Sequence, residues 1–300
     1  MKSSSISPQS AVSFKGYYDA DKIKLFEKYL EYYKRANPYL KKTDISTMRN
    51  SISSYNAFLK GAETINPVNV ENQIYKKMGI PAHFDNDKHL ASMVALALNI
   101  FKKLNFVLPT SIKKGPLEYG TRAICSTKDR SVIFSSLEDW SNTQESQIME
   151  RFENHTSTGH FLRTPIHEFM HSVHIAQLNK LAYIKEKVTE NAYGKWLSMV
   201  LKIPDFKTEM ANDAGTPFKE GNAMQYIIQH VSGYGATRPC EMFADKGAQM
   251  IADSLDFKTI LPKHNPFVFK NFTEDKYINK MLDDFWMGNF SKYIQEEKSK

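Results

Sequence analysis

The stretch Thr164-Pro165-Ile166-His167-Glu168-Phe169-Met170-His171 contains the pattern H-E-x-x-H at residues 167–171. Thr164 suits a helix N-cap and Pro165 a first helical position, where its missing N–H costs nothing. Ile166, Phe169, Met170, Val173, Ile175, Ala176 and Leu178 supply an apolar surface at helical spacing. On such a helix the rings of His167 and His171 lie one turn apart on the same side. Two imidazoles so placed can grip one Zn²⁺, with Glu168 beside the open position of the ion. The pattern alone is half a site. A third ligand must come from elsewhere in the chain.

The surroundings of this segment predict an α+β fold. Upstream, Asp87 to Leu104 reads as an amphipathic helix through Leu90, Met93, Val94, Leu96, Ala97, Ile100 and Phe101. The period then changes to short β-branched and aromatic runs, expected as strands over Phe106–Leu108, Thr121–Ser126 and Ser131–Ser135. Thr127-Lys128-Asp129-Arg130 fits a hairpin connection between the last two. From Thr143 to about Tyr293 the pattern returns to helices. A small mixed sheet, then the histidine-bearing helix, then further helices argues against a repetitive parallel βαβ fold. Ahead of this unit, residues 15–80 read as a helical region, with helices over Asp19–Ala36 and Ser46–Leu59. Residues 1–14 read as a disordered leader, and the main domain is expected over 85–300.

Bulk properties set outer limits. A chain of 300 residues with 41% hydrophobic and 24% charged residues fits a globular protein with a sizeable core. The net charge of +7 comes mostly from scattered lysines. No dense, arginine-rich, aromatic-interleaved patch marks a nucleic-acid groove, so no nucleic-acid partner is expected. Cys125 and Cys240 stand alone, outside any C-x-x-C pair, which argues against a thiolate-ligated zinc. The longest strongly apolar run, Met93 to Phe101, is too short to span a bilayer. The N-terminus lacks the apolar core of a secretory signal. A cytoplasmic protein, or one exported without such a signal, is the expectation.

Two glutamates compete for the third ligand position. Glu190 lies 19 residues after His171 and Glu241 lies 70 after it. A zinc-bound histidine usually donates its other N–H to a carboxylate, which fixes its tautomer. Asp245 stands one helical turn beyond Glu241 and can play that part, whereas the place one turn beyond Glu190 is Gly194. Arg238-Pro239 also marks a helix start just ahead of Glu241. The spacing therefore favours Glu241. His174, three residues after His171, is either a further outer partner of the site or a core histidine. A metzincin needs a Gly and a His where this chain has His174 and Gln177, which removes that ligand set.

The segment Ser232-Gly233-Tyr234-Gly235-Ala236-Thr237-Arg238-Pro239-Cys240-Glu241-Met242-Phe243-Ala244-Asp245 resembles the S-x-Y-A…E-x-F-A-E signature. That signature marks the gluzincin, zincin-like peptidase domain of the anthrax toxin lethal factor type and related bacterial and phage-associated metallopeptidases. The resemblance covers roughly residues 85–255 and rests on two motifs. Gly235 replaces the usual Ala, and Met170 replaces the Gly common before the second His. The resemblance implies a zinc metallopeptidase holding one Zn²⁺ through His167, His171 and Glu241. It also implies Glu168 as general base and Tyr234 as hydrogen-bond donor to the developing oxyanion. The partner is then a protein or peptide substrate, cut internally, with Ser131–Ser135 expected as the edge on which an extended chain lies.

Two other readings compete with this one. An aminopeptidase would take Glu190 as third ligand and cleave only free N-termini. A non-catalytic interaction protein would keep the metal site without the chemistry.

Overall fold

The computed structural model describes residues 24, 27, 28, 55–143, 147, 158–185, 232–235, 237, 239–260 and 270–272. Residues 24, 27 and 28, within the first expected N-terminal helix, are helical, and so is the segment 55–62, which runs past Leu59, where the second was expected to end; the rest of both lies outside the described residues. The expected leader lies outside the described residues. Helix α1 (Pro67–Met78) follows. Asn66 caps its start by accepting from the Asn69 N–H, and Gly79 ends it at φ 72°, a left-handed position that glycine adopts without strain.

Helix α2 (Lys88–Lys103) runs through the core. Asp87 caps it, accepting from the N–H groups of His89 (3.1 Å) and Leu90 (2.9 Å). Lys114 holds the other Asp87 oxygen at 2.8 Å. Its apolar stripe is as broad as the sequence suggested, with Leu90, Met93, Val94, Leu96, Ile100 and Phe101 buried. At its far end the Asn105 N–H donates to the Lys102 carbonyl (3.1 Å) and the Phe106 N–H to that of Phe101 (2.9 Å), while Asn105 takes φ 56°. This is a Schellman closure, and the Phe106 ring packs on Phe101 at 5.5 Å. Phe106–Leu108 is consequently not a strand. Its leading aromatic residue serves the helix terminus instead.

The sheet has four short strands in the order β1-β2-β4-β3. β1 (Ala82–His83), β2 (Ile112–Gly115) and β4 (Val132–Ser135) run parallel, and β3 (Ala123–Cys125) is antiparallel to β4. The Ser126–Arg130 turn closes the β3–β4 hairpin, as its sequence indicated. β4 lies between β2 and β3, so both of its edges are paired. This corrects the expectation of a peptide-binding edge over Ser131–Ser135: among the described residues the edge strands of this sheet are β1 and β3.

Two long helices complete the described fold, α3 (Arg163–Lys185) and α4 (Pro239–Ser254), packed chiefly on one another. α3 also rests on β3 and α2. It begins one residue before Thr164. His160 caps it, its Nδ1 accepting from the Leu162 N–H (3.1 Å) and its carbonyl from that of Arg163 (2.9 Å). The Thr164 hydroxyl instead accepts from Gln147 Nε2 at 2.7 Å. Pro165 then sits in the first turn, where no backbone donor is needed. Just ahead of α3, Phe161 packs on Tyr55 and Phe58 of the 55–62 helix, with ring centroids 5.3 and 4.8 Å away. After α4 the chain forms an antiparallel pair, β5 (Leu255–Ile260) with β6 (Lys270–Phe272), where the sequence suggested only helix. Among the described residues no helix is long and apolar enough to cross a membrane.

The crossing of α3 and α4 is tight at one point. A Cβ on Gly247 would meet Met170 Cε at 2.5 Å, Cγ at 2.8 Å and Sδ at 2.9 Å. Met170 is fully buried and cannot swing away into solvent. Glycine at 247 thus makes room for the larger residue before His171. In an open helix Gly→Ala stabilises by about 0.5–1 kcal/mol. At Gly247 the overpacking term dominates, and Gly247→Ala is expected to lower unfolding free energy by about 1–3 kcal/mol in denaturant titrations. Adding Met170→Ala should recover part of that loss. An unchanged or raised midpoint for the single variant would refute the close approach.

Candidate metal centre

The α3–α4 pair brings the sequence-selected ligands together. Arg163, His167 and His171 follow one another at four-residue steps on one face of α3. On α4, Pro239 opens the helix, Glu241 lies in the first turn and Asp245 one turn later. Glu241 Oε2 is 3.0 Å from His167 Nε2 and 3.3 Å from His171 Nε2. The two Nε2 atoms are 3.1 Å apart. One donor atom from each of these three residues lies within 4.8 Å of the others, a spacing that can hold a metal ion.

The chemistry of the donor set fits a divalent cation. His167 Nδ1 donates to Asp245 Oδ1 at 2.9 Å, so in the neutral ring Nε2 carries a lone pair. That lone pair faces a second imidazole Nε2 and a carboxylate oxygen. Three electron-rich atoms so close repel unless a proton or a cation lies among them. Two imidazole nitrogens and one carboxylate oxygen match the three-ligand sets that leave zinc an open fourth position.

Asp245 is wholly buried and holds three donors. Arg163 Nη2 and His167 Nδ1 reach Oδ1 at 2.8 and 2.9 Å, and Ser232 Oγ reaches Oδ2 at 2.5 Å. Burial alone would raise its pKa, but the Arg163 charge and the His167 and Ser232 hydrogen bonds hold it well below the usual carboxylate range. Arg163 has no place in the metal motif and was not singled out from sequence. Its position four residues before His167 was the available signal.

Glu168 is buried and lines a cleft of about 530 Å³ with His167, Arg163, Arg122 and Tyr234. Burial raises its pKa, against the pull of His167 and His171. Tyr234 is 44% exposed, with its ring 5.7 Å from that of His167 and 5.9 Å from the Arg163 guanidinium carbon. Burial, then the charges of Glu241 and Glu168, raises the pKa of its phenol, which keeps the hydroxyl a donor. The N-terminal end of β3 reaches the same cleft through Arg122 and Ala123.

His174 is a core residue, 3% exposed and stacked on Phe243 at 4.6 Å. Burial lowers its pKa to about 3, so it stays neutral. Glu190 lies outside the described residues. No protein-family model, curated protein or solved structure matches this chain.

The site also makes a prediction about protons. Burial alone would lower the His167 pKa, but hydrogen bonds to Asp245 and Glu241 overcome this and raise it to about 10. Without metal, His167 is therefore protonated at pH 8, and Zn²⁺ must displace that proton to reach Nε2. Calorimetry at pH 8 in buffers of different ionisation enthalpy should show about one proton released per zinc bound. Affinity should weaken as pH falls. Binding without proton release would contradict the arrangement.

Proposed function

We propose that this chain is a zinc-dependent peptidase of the gluzincin type, a zincin-like hydrolase that cuts peptide bonds within a chain. The observation that carries the reading is the convergence of His167 Nε2, His171 Nε2 and Glu241 Oε2 beside a cleft lined by Glu168 and Tyr234. His167, His171 and Glu241 would hold one Zn²⁺. When bound, the ion supplies Lewis acidity, which acidifies water and polarises a carbonyl.

The remaining steps belong to the protein. Asp245 holds His167 in the tautomer that turns Nε2 towards the site. The Glu168 carboxylate takes a proton from the attacking water and delivers it to the leaving amine nitrogen. Its raised pKa suits both directions of that transfer. The Tyr234 hydroxyl donates to the oxygen that gains negative charge as the carbonyl becomes tetrahedral. Among the described residues β3 pairs on one side only, with β4, so its other edge, beside the cleft, is a candidate for adding an extended substrate as a strand. The approach of Glu241 to both imidazoles supports it as third ligand over Glu190, and with it internal cleavage over the aminopeptidase reading.

Zinc content and cleavage of a blocked peptide, measured together, test this proposal. Glu168→Gln should keep zinc and lose about 10²–10⁴-fold in kcat. Tyr234→Phe should keep zinc and lose about 10²-fold, near 3 kcal/mol of transition-state stabilisation. Glu241→Ala should lose zinc, while Glu190→Ala should not. Glu168→Gln with wild-type turnover would sink the assigned base. A wild type that binds zinc tightly yet cuts no peptide would favour the non-catalytic interaction protein.

A further inference from the structure

The turn that carries Tyr234 is tied to the metal ligands by one hydroxyl. Ser232 is wholly buried and uses its Oγ twice. It donates to Asp245 Oδ2 at 2.5 Å and accepts from the Gly235 N–H at 2.6 Å. The first contact is charge-assisted and anchors the turn to α4. The second closes the backbone around Tyr234. On the far side, the Tyr234 carbonyl accepts from the Thr237 hydroxyl (2.6 Å) and N–H (3.0 Å). The other two Asp245 donors, His167 and Arg163, lie beside the Tyr234 ring, at 5.7 Å between ring centroids and 5.9 Å from guanidinium carbon to centroid. Two of the three donors to Asp245 therefore lie beside the Tyr234 ring, and the third, Ser232, also holds the turn's backbone at Gly235.

We propose that Ser232 is a positioning residue that couples the Tyr234 turn to the carboxylate orienting His167. Order in the metal site and placement of the phenol then become one event. Asp245 cannot shift to let His167 turn without pulling Ser232, and with it the backbone on either side of Tyr234. The turn cannot lift away without stripping a hydrogen bond from a buried carboxylate, which is costly in a low-dielectric interior. The oxyanion role of Tyr234 rests on the peptidase reading above, whereas the coupling concerns geometry and metal binding.

Ser232→Ala removes the hydroxyl with little change in volume. Two measurements follow it: zinc affinity by competition with a chelating dye, and nitration of individual tyrosines by tetranitromethane, located by peptide mass spectrometry. Zinc affinity should fall about 10–100-fold. Tyr234 nitration should speed up severalfold, while buried Tyr55 stays unreactive and Tyr119, 98% exposed, reacts as before. Either quantity remaining at its wild-type value would overturn the coupling. Simultaneous exposure of Tyr55 would also overturn it, by showing general loosening. Neither measurement uses hydrolysis. A chain that shows both shifts but cleaves nothing keeps the coupling and loses the peptidase reading. A wild type that binds no zinc loses both.

Discussion

The buried carboxylate of Asp245 is the constraint on which the site depends. A lone charge in such a place costs several kcal/mol, and it persists here because three donors converge on it. Arg163 supplies the counter-charge, His167 the ring N–H and Ser232 the hydroxyl. Each comes from a different position along α3 or from the turn ahead of α4, so satisfying one carboxylate fixes how these pieces meet. The helix crossing follows from the same junction, where Met170 fits only because residue 247 has no side chain.

The junction also sorts the chemistry. Burial acts on both Glu241 and Glu168, but neighbours decide the outcome. Glu241 faces two imidazoles, and their hydrogen bonds outweigh its burial, holding it ionised far below the usual carboxylate range. Glu168, next to His167, has no such hydrogen bonds among the described residues, and burial lifts its pKa. One carboxylate is kept as a permanent anion and the other as a group that can gain and lose a proton. That division is what hydrolysis by the proposed mechanism requires.

Much of the site could be read from spacing, because helices convert sequence intervals into directions. His167 and His171 share a face, and Asp245 lies one turn from Glu241 and reaches His167 as the interval implied. Tyr234 was legible only through the resemblance, since no periodicity governs a turn. Arg163 escaped notice because no motif includes it. The sheet was harder. β2 is Ile-Lys-Lys-Gly and β1 only two residues long, so neither shows alternation, and their pairing is decided by neighbours distant in sequence. Phe106 looked like a strand residue because aromatic character does not distinguish a strand from a helix-closing contact. The placement of β4 between two partners depended on finding β2, which leaves β1 and β3 as the edge strands among the described residues.

The central claim is that one divalent cation sits between α3 and α4, held by His167, His171 and Glu241. An anomalous difference map at the zinc absorption edge, from crystals of the full chain grown with zinc, tests it most directly. The account predicts one dominant peak with His167 Nε2, His171 Nε2 and a Glu241 oxygen each about 2.0–2.2 Å away. A peak elsewhere, or one whose third protein ligand is Glu190, would contradict it.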